Sequence, residues 1–335
     1  MNEVILLGPT GLVGRNVLIQ SLQSPWIKHI TTLSRNPENI PLKEYMKGEK
    51  NNEMAETAKI RKIRIVKGCL ENLPAELFSK NNDHVVIHFA SKQIATNSQD
   101  LSSNIKNIEN IFRFLDERTK LFVFGSSMSV YGQGEQISIK EDAPLKPQTI
   151  LAKNRVECEN LIHQLATQKK IPYVIFRPRF IIGKGDFYTI PKWIKMVKNK
   201  VYIGSGKQSF GVISAEDYAA IVLAIAKTYL CTNENRSFIY NIAYEKALSY
   251  SDIWTTISSS LNIKSNPIIK LPINKVIINL LNVLHFFSIE SSTVTKMELM
   301  ALSHSGSIEA LKKNIGSEII GQSAKQKLSE ILSAL

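Results

Sequence analysis

The sequence predicts an α/β protein built on a doubly wound parallel sheet, with a smaller, mostly helical C-terminal part. Three observations carry this. Short apolar runs alternate with helical stretches, the first run leads straight into a glycine-rich turn, and 335 residues are enough to bury a large core. Composition narrows the class. Hydrophobic residues make up 44% and charged residues 21%, a balance that excludes a disordered or fibrous chain. Cys69, Cys158 and Cys231 share no short spacing, which argues against a disulfide framework and a cysteine zinc site. The start Met1-Asn2-Glu3 does not resemble a signal peptide, and no window of about 18 apolar residues is uninterrupted. These features predict a soluble, reduced, cytoplasmic protein.

The elements follow in order. Val4–Leu7 is a continuous apolar run, as in a strand buried on both faces. The turn from Gly8 to Gly14 follows, then a helix over Arg15–Gln23. Ile30–Leu33, Ile63–Val66, Val85–Phe89, Leu121–Phe124 and Tyr173–Phe176 read as further strands, with helices at Asn104–Leu115 and Leu151–Thr167. Between the second and third strands, residues 36–62 mix Glu and Lys with almost no aromatics, the composition of a solvated insertion with some helix.

A strand, a glycine turn and a helix start make a dinucleotide site for physical reasons. One glycine makes the tight turn, one lets backbone N–H groups approach a pyrophosphate, and one permits close helix–strand packing. Gly8, Gly11 and Gly14 fill these roles, with Thr10, Leu12 and Val13 between them, so the sheet is predicted to be Rossmann-type. The spacing is one residue longer than the common fingerprint. About twenty residues on, an NAD site needs a carboxylate for the ribose hydroxyls. Ser34 and Arg35 stand there instead, and a guanidinium suits a 2′-phosphate, so NADP(H) is expected over NAD(H). The plainer reading of Arg35 is a surface residue ending a strand.

In these motifs and those that follow them, the chain resembles an extended short-chain dehydrogenase/reductase, the branch with nucleotide-sugar epimerases and 3β-hydroxysteroid dehydrogenases. In family order come Gly68-Cys69-Leu70, His88-Phe89-Ala90-Ser91, Asn104 to Ile108, Ser126 to Gly132, Arg177 to Gly183, Ser214 to Ala219 and Tyr240-Asn241-Ile242. The resemblance implies that Leu70, Ala90 and Ser91 line the cofactor, that Asn104 supports the site, and that Pro178 and Phe180 flank the nicotinamide. It implies a cofactor domain over 1–182 and 210–243, a substrate domain over 183–209 and 244–335, and a homodimer through the helices after the fourth and fifth strands. Cys69 stands where the family usually has an Asp.

Catalysis in this family resembles hydride transfer coupled to acid–base chemistry. A Ser holds the substrate oxygen, and a Lys four residues after a Tyr makes its phenol a usable acid or base. Ser127 matches the serine. Leu151 falls at the Tyr position and Arg155 at the Lys position, which keeps the positive charge but removes the proton carrier. Tyr131, Tyr188 and His163 are weak replacements. His84 and His88 lack a third ligand for a metal.

On the substrate side, Phe210 stands where nucleotide-sugar members carry a diphosphate-gripping Arg. Phe180, Phe187, Trp193 and residues 271–287 form either a pocket for a small apolar or amphipathic molecule or ordinary core. The 271–287 stretch also has the composition of a peripheral membrane contact. The net charge of +13 locates partly to Arg35 and to the six lysines between Lys184 and Lys207. No nucleic-acid recognition motif accompanies them, so no nucleic-acid partner is expected. Two function classes follow: an atypical oxidoreductase, or a catalytically inert NADP(H)-binding sensor or docking module.

Overall fold

A computed structural model describes residues 2–42, 62–78, 81–93, 101–232, 234–264, 267, 269–271 and 298–335. Most of the expected 36–62 insertion, and all but the first residue of the 271–287 stretch, lie outside the described residues.

The chain begins with β1 (Glu3–Leu7), α1 (Leu12–Gln23), β2 (His29–Ser34), β3 (Ile63–Lys67), β4 (His84–His88), α2 (Ser102–Phe114) and β5 (Thr119–Gly125). Next come β6 (Gln136–Ile139), α3 (Ile150–Lys169), β7 (Tyr173–Pro178), β8 (Phe180–Ile182), α4 (Thr189–Lys198), β9 (Val201–Ile203), β10 (Ser209–Phe210) and β11 (Val212–Ser214). The rest is α5 (Ala215–Cys231), β12 (Phe238–Ile242), β13 (Leu248–Ser249), α6 (Tyr250–Ser260), β14 (Ile269–Leu271), β15 (His304–Gly306), α7 (Glu309–Ile315) and α8 (Ala324–Ser333). Every strand and helix expected from periodicity is present, with bounds shifted by up to three residues.

The chain divides into two compact units. The first comprises Met1–Ser126, Thr149–Phe176 and Tyr218–Ile239. Its sheet runs β12-β7-β5-β4-β1-β2-β3, and the pairings from β3 through β7 are parallel. All five residues of β1 and of β4 are buried, which is why Val4–Leu7 reads as an unbroken apolar run and Val85–Ile87 as a shorter one. Ile5, Leu7, Val86, Phe122 and Phe124 from the strands form a core with Ile108, Ile111 and Phe112 of α2 and Cys158 and Ile162 of α3. Each such side chain contributes about 1.5–3 kcal/mol by burial. Helix α3 starts where Thr149 accepts a hydrogen bond from the Ala152 N–H at 3.1 Å and stops at Lys170, whose φ is 56°.

The second unit comprises Ser127–Gln148, Arg177–Asp217 and Tyr240–Leu335. It holds the sheet β13-β10-β15-β6, the pairs β8–β11 and β9–β14, and helices α4, α6, α7 and α8. Residues 127–148, placed with the cofactor domain by sequence, group here because β6 pairs with β15. Residues 177–182 and 210–217 group here as well, since β8 pairs with β11, and so do residues 240–243.

Candidate functional site

The glycine turn lies where the strand order reverses, with β1 flanked by β2 on one side and β4 on the other. Open α/β sheets bind ligands at such a switch point. Gly8 leaves β1 with φ of +100°, against the end of β4: Phe89 N–H donates to the Leu7 carbonyl at 2.9 Å. A Cβ on Gly8 would lie 2.7 Å from Ala90 N, and one on Gly14 would lie 1.9 Å from the Gly8 carbonyl oxygen. Both positions therefore require glycine. Gly11, in extended conformation, precedes α1 without a side-chain cap, and the first turn of α1 holds no acid. Its leading N–H groups are left to an anion. A dinucleotide pyrophosphate fits this cradle. Thr10 is exposed and Leu12 half-buried, whereas the Val13 side chain is buried.

The segment after β4 is held from two helices. Lys92 N–H donates to Asn104 Oδ1 at 2.8 Å, and Asn104 Nδ2 donates to the Lys92 carbonyl at 3.2 Å. Asn104 Nδ2 also donates to Asn154 Oδ1 at 2.9 Å, and Asn154 Nδ2 donates to the Leu101 carbonyl at 3.2 Å. Arg155, 2% exposed, donates from Nη1 to Ser91 Oγ at 2.9 Å and lies over the Phe124 ring at 5.7 Å. Ser126 Oγ donates to Glu159 one turn further along α3. Arg155 and Asn104, both buried, thus hold the half-buried segment of Ala90 and Ser91 through separate hydrogen bonds to Ser91 and to Lys92. Asn154 and Glu159 escaped the sequence reading, although both share the buried face of α3 with Arg155.

Burial governs the electrostatics here. It lowers the Arg155 pKa, with Cys158, Glu159 and Tyr218 opposing. It drops His88 to about 3, helped by the Arg155 charge, so His88 is neutral. Tyr218, packed edge-on against Phe89 and Phe176, is pushed well above 10, with Arg155 opposing.

At the end of β2, Leu33 pairs in register with Leu7, which puts Arg35 just beyond the same sheet end as Gly8. Arg35 is exposed. Ser34 Oγ accepts from Asn36 N–H at 3.2 Å, and its carbonyl accepts from Gly68 N–H at 3.0 Å. Asn110 Nδ2 donates to the Leu70 and Glu71 carbonyls, each at 3.1 Å, fixing the loop that carries Leu70.

Leu151 is half-buried in the first turn of α3, one turn before Arg155. Ser127, Pro178 and Phe180 belong to the second unit. Ser127 Oγ accepts from Ser129 N–H at 3.1 Å. Tyr131 Oη donates to Asn241 Oδ1 at 2.8 Å and accepts from Arg177 at 2.9 Å, so this phenol is committed to structure. Phe180 packs on Trp193 and Phe210, with ring centroids 5.6 and 5.5 Å away. Trp193 is buried, but Phe187 is 83% exposed, so the residues expected as one apolar wall separate. His163 pairs with the Tyr173 hydroxyl at 2.9 Å, and His84 with Thr119 Oγ1 at 2.9 Å.

The model of the NAD dependent epimerase/dehydratase family matches residues 4–243. UDP-glucose 4-epimerase of Dictyostelium discoideum is 25% identical over 170 residues, 49% of this chain and 47% of that protein; the match thus spans about half of the curated relative. Among solved structures, UDP-glucuronic acid 4-epimerase from Bacillus cereus in complex with NAD has a TM-score of 0.69 at 17% identity, covering 100% of this chain and 97% of that one. The dTDP-glucose 4,6-dehydratase DesIV from Streptomyces venezuelae, with NAD and TYD bound, has a TM-score of 0.67 at 14% identity, covering 99% and 96%. At these identities the solved structures establish the shared fold.

Proposed function

Because the chain belongs to the NAD dependent epimerase/dehydratase family, we propose that it binds NADP(H) at the C-terminal ends of β1 and β4. There it reduces a keto group, or oxidises a hydroxyl, on a small apolar or amphipathic molecule. The carrying observation is the cradle itself: two glycines that admit no Cβ, an uncapped α1, and a following segment pinned by Asn104 and Arg155. Gly8, Gly11 and Gly14 hold the pyrophosphate, Leu70, Ala90 and Ser91 line the site, and Arg35 meets the 2′-phosphate. The relatives are described with NAD, so the NADP(H) preference rests on this chain's own Arg35.

The bound nicotinamide supplies or accepts the hydride. Ser127 orients the substrate oxygen by a hydrogen bond. Arg155 acts through Ser91, keeping positive potential behind the site without giving up a proton. Leu151 carries no proton, so the proton comes from water, the substrate or another residue. Phe210 is fully buried against Phe180 and offers no grip to a diphosphate, which supports an apolar substrate over a nucleotide sugar.

The second reading is a cofactor-binding sensor or docking module without chemistry. It is favoured by Leu151 together with an Arg155 already engaged by Ser91. A screen of ketosteroids and aliphatic ketones, following NADPH consumption, separates the two. The enzyme reading expects turnover that Ser127→Ala lowers by about 100-fold or more in kcat/KM. Silence despite cofactor binding, with turnover appearing in Leu151→Tyr/Arg155→Lys, selects the second.

A further inference from the structure

Helix α4 and the turn before it present a surface that the reaction above does not use. Ile190, Trp193 and Val197 recur at helical spacing, are buried, and fix one face of α4 to the second unit. Away from that face, Lys192, Lys195 and Lys198 are exposed, as is Lys184 ahead of the helix. Phe187 is 83% exposed and Tyr188 is 55% exposed, with Lys192 Nζ 5.8 Å from the Tyr188 ring centroid. An open cleft of about 370 Å³ continues this apolar and basic surface along Pro191, Ile194, Lys195 and Lys198.

Lysines dominate the charge of this surface, whose cleft is lined by Asp186 and Leu335 as well. The only acid from Lys184 to Lys200 is Asp186. Its carboxylate accepts from the backbone N–H groups of Tyr188, Thr189 and Ile190 at 2.8, 2.9 and 2.9 Å. That negative charge is therefore matched to the start of α4 and does not offset the lysines.

We infer that this surface docks on an anionic lipid bilayer, with Phe187 and Tyr188 entering the headgroup boundary and the lysines meeting lipid phosphates and carboxylates. Exposed rings lower their free energy when the interface covers them, and long lysine stems keep the charge in water while the stem packs. Each lysine near an anionic membrane surface strengthens binding about five-fold. A nucleic acid would satisfy the lysines, but the paired exposed rings together with an apolar cleft favour lipid. The inference does not depend on the proposed reaction.

The test is co-sedimentation of the full chain with phosphatidylcholine vesicles, with and without phosphatidylserine. Binding is expected only with phosphatidylserine, and high salt should weaken it by screening the lysine part. Phe187→Ala/Tyr188→Ala should lower the partition coefficient by roughly ten-fold. Lys192→Ala/Lys195→Ala/Lys198→Ala should lower it by roughly 100-fold. All five positions are exposed, and unchanged thermal unfolding midpoints show that the variants are folded. Equal sedimentation with and without phosphatidylserine, or wild-type binding by both variants, overturns the inference. So does tighter binding to a DNA duplex than to the anionic vesicles, which assigns the surface to nucleic acid.

Discussion

The glycine turn after β1 and the sheet β13-β10-β15-β6 both hold short backbone segments in place, by opposite means. In the turn, residues within one stretch of the chain close on one another: the Gly11 N–H donates to the Gly8 carbonyl at 3.3 Å, and Gly14 leaves no room for a Cβ. In the second unit, the strands come from four distant places, and Phe210 pairs with His304 while Ser138 N–H donates to Ser305 Oγ. Buried polar groups then complete the hold, as where Tyr131, Asn241 and Arg177 join. One region is fixed by close contact over a few residues, the other by long-range polar pairing. The first should fail abruptly and the second by increments.

The largest expected effect tests the abrupt failure. Gly14→Val puts side-chain atoms where a Cβ would already overlap the Gly8 carbonyl, at 1.9 Å. The turn must open, at a cost of about 3 kcal/mol or more, with loss of NADPH binding. Urea denaturation and cofactor titration measure both, and a variant that binds NADPH normally would contradict the close-contact account.

Arg155→Met comes next. It removes the donor to Ser91 and leaves Glu159 in a buried site without its neighbouring cation. The expected destabilisation is about 3–5 kcal/mol. Adding Glu159→Gln should restore part of it, and strict additivity of the two changes would argue against coupling.

The pH dependence has a definite sign. His88 in the first unit and His304 in the second are each lowered to about 3, chiefly by burial. Between their ordinary value near 6.5 and about 3, the unfolded chain binds protons that the folded chain does not. Stability is therefore complete above pH 6.5 and falls with acidification, by about 1.4 kcal/mol per pH unit for each histidine. The wild-type urea midpoint should fall more steeply than that of His88→Phe as pH drops, and parallel curves would sink the assignment.

The smallest effect belongs to the incremental region. Tyr131→Phe removes the hydroxyl shared by Asn241 and Arg177, for a loss of about 1–3 kcal/mol. A larger loss than that of Arg155→Met would reverse the contrast between the regions.

These differences also explain what the sequence disclosed. The strands β1 and β4 were legible because both faces are buried, and the cradle was legible because its three glycines fall within seven residues. Arg155 was located by the family resemblance, which puts it at the Lys position, but its partner Ser91 lies on another element and no spacing pairs them. Strands β6 and β8 to β15 were not placed, most being too short for an alternating pattern and paired across long separations. Phe187, expected in a wall with Phe180 and Trp193, stands exposed because Asp186 turns the chain into α4 at that point. Periodicity reports burial within an element and carries no information about such a turn.

The central claim is a phosphate-reading dinucleotide site at the ends of β1, β2 and β4. Calorimetric titration of the wild type and Arg35→Ala with NADPH and NADH tests it most directly. The account predicts tighter binding of NADPH by the wild type, and a loss of about ten-fold or more in Arg35→Ala that spares NADH. Equal affinities for the two cofactors, or an Arg35→Ala variant that still prefers NADPH, would contradict it.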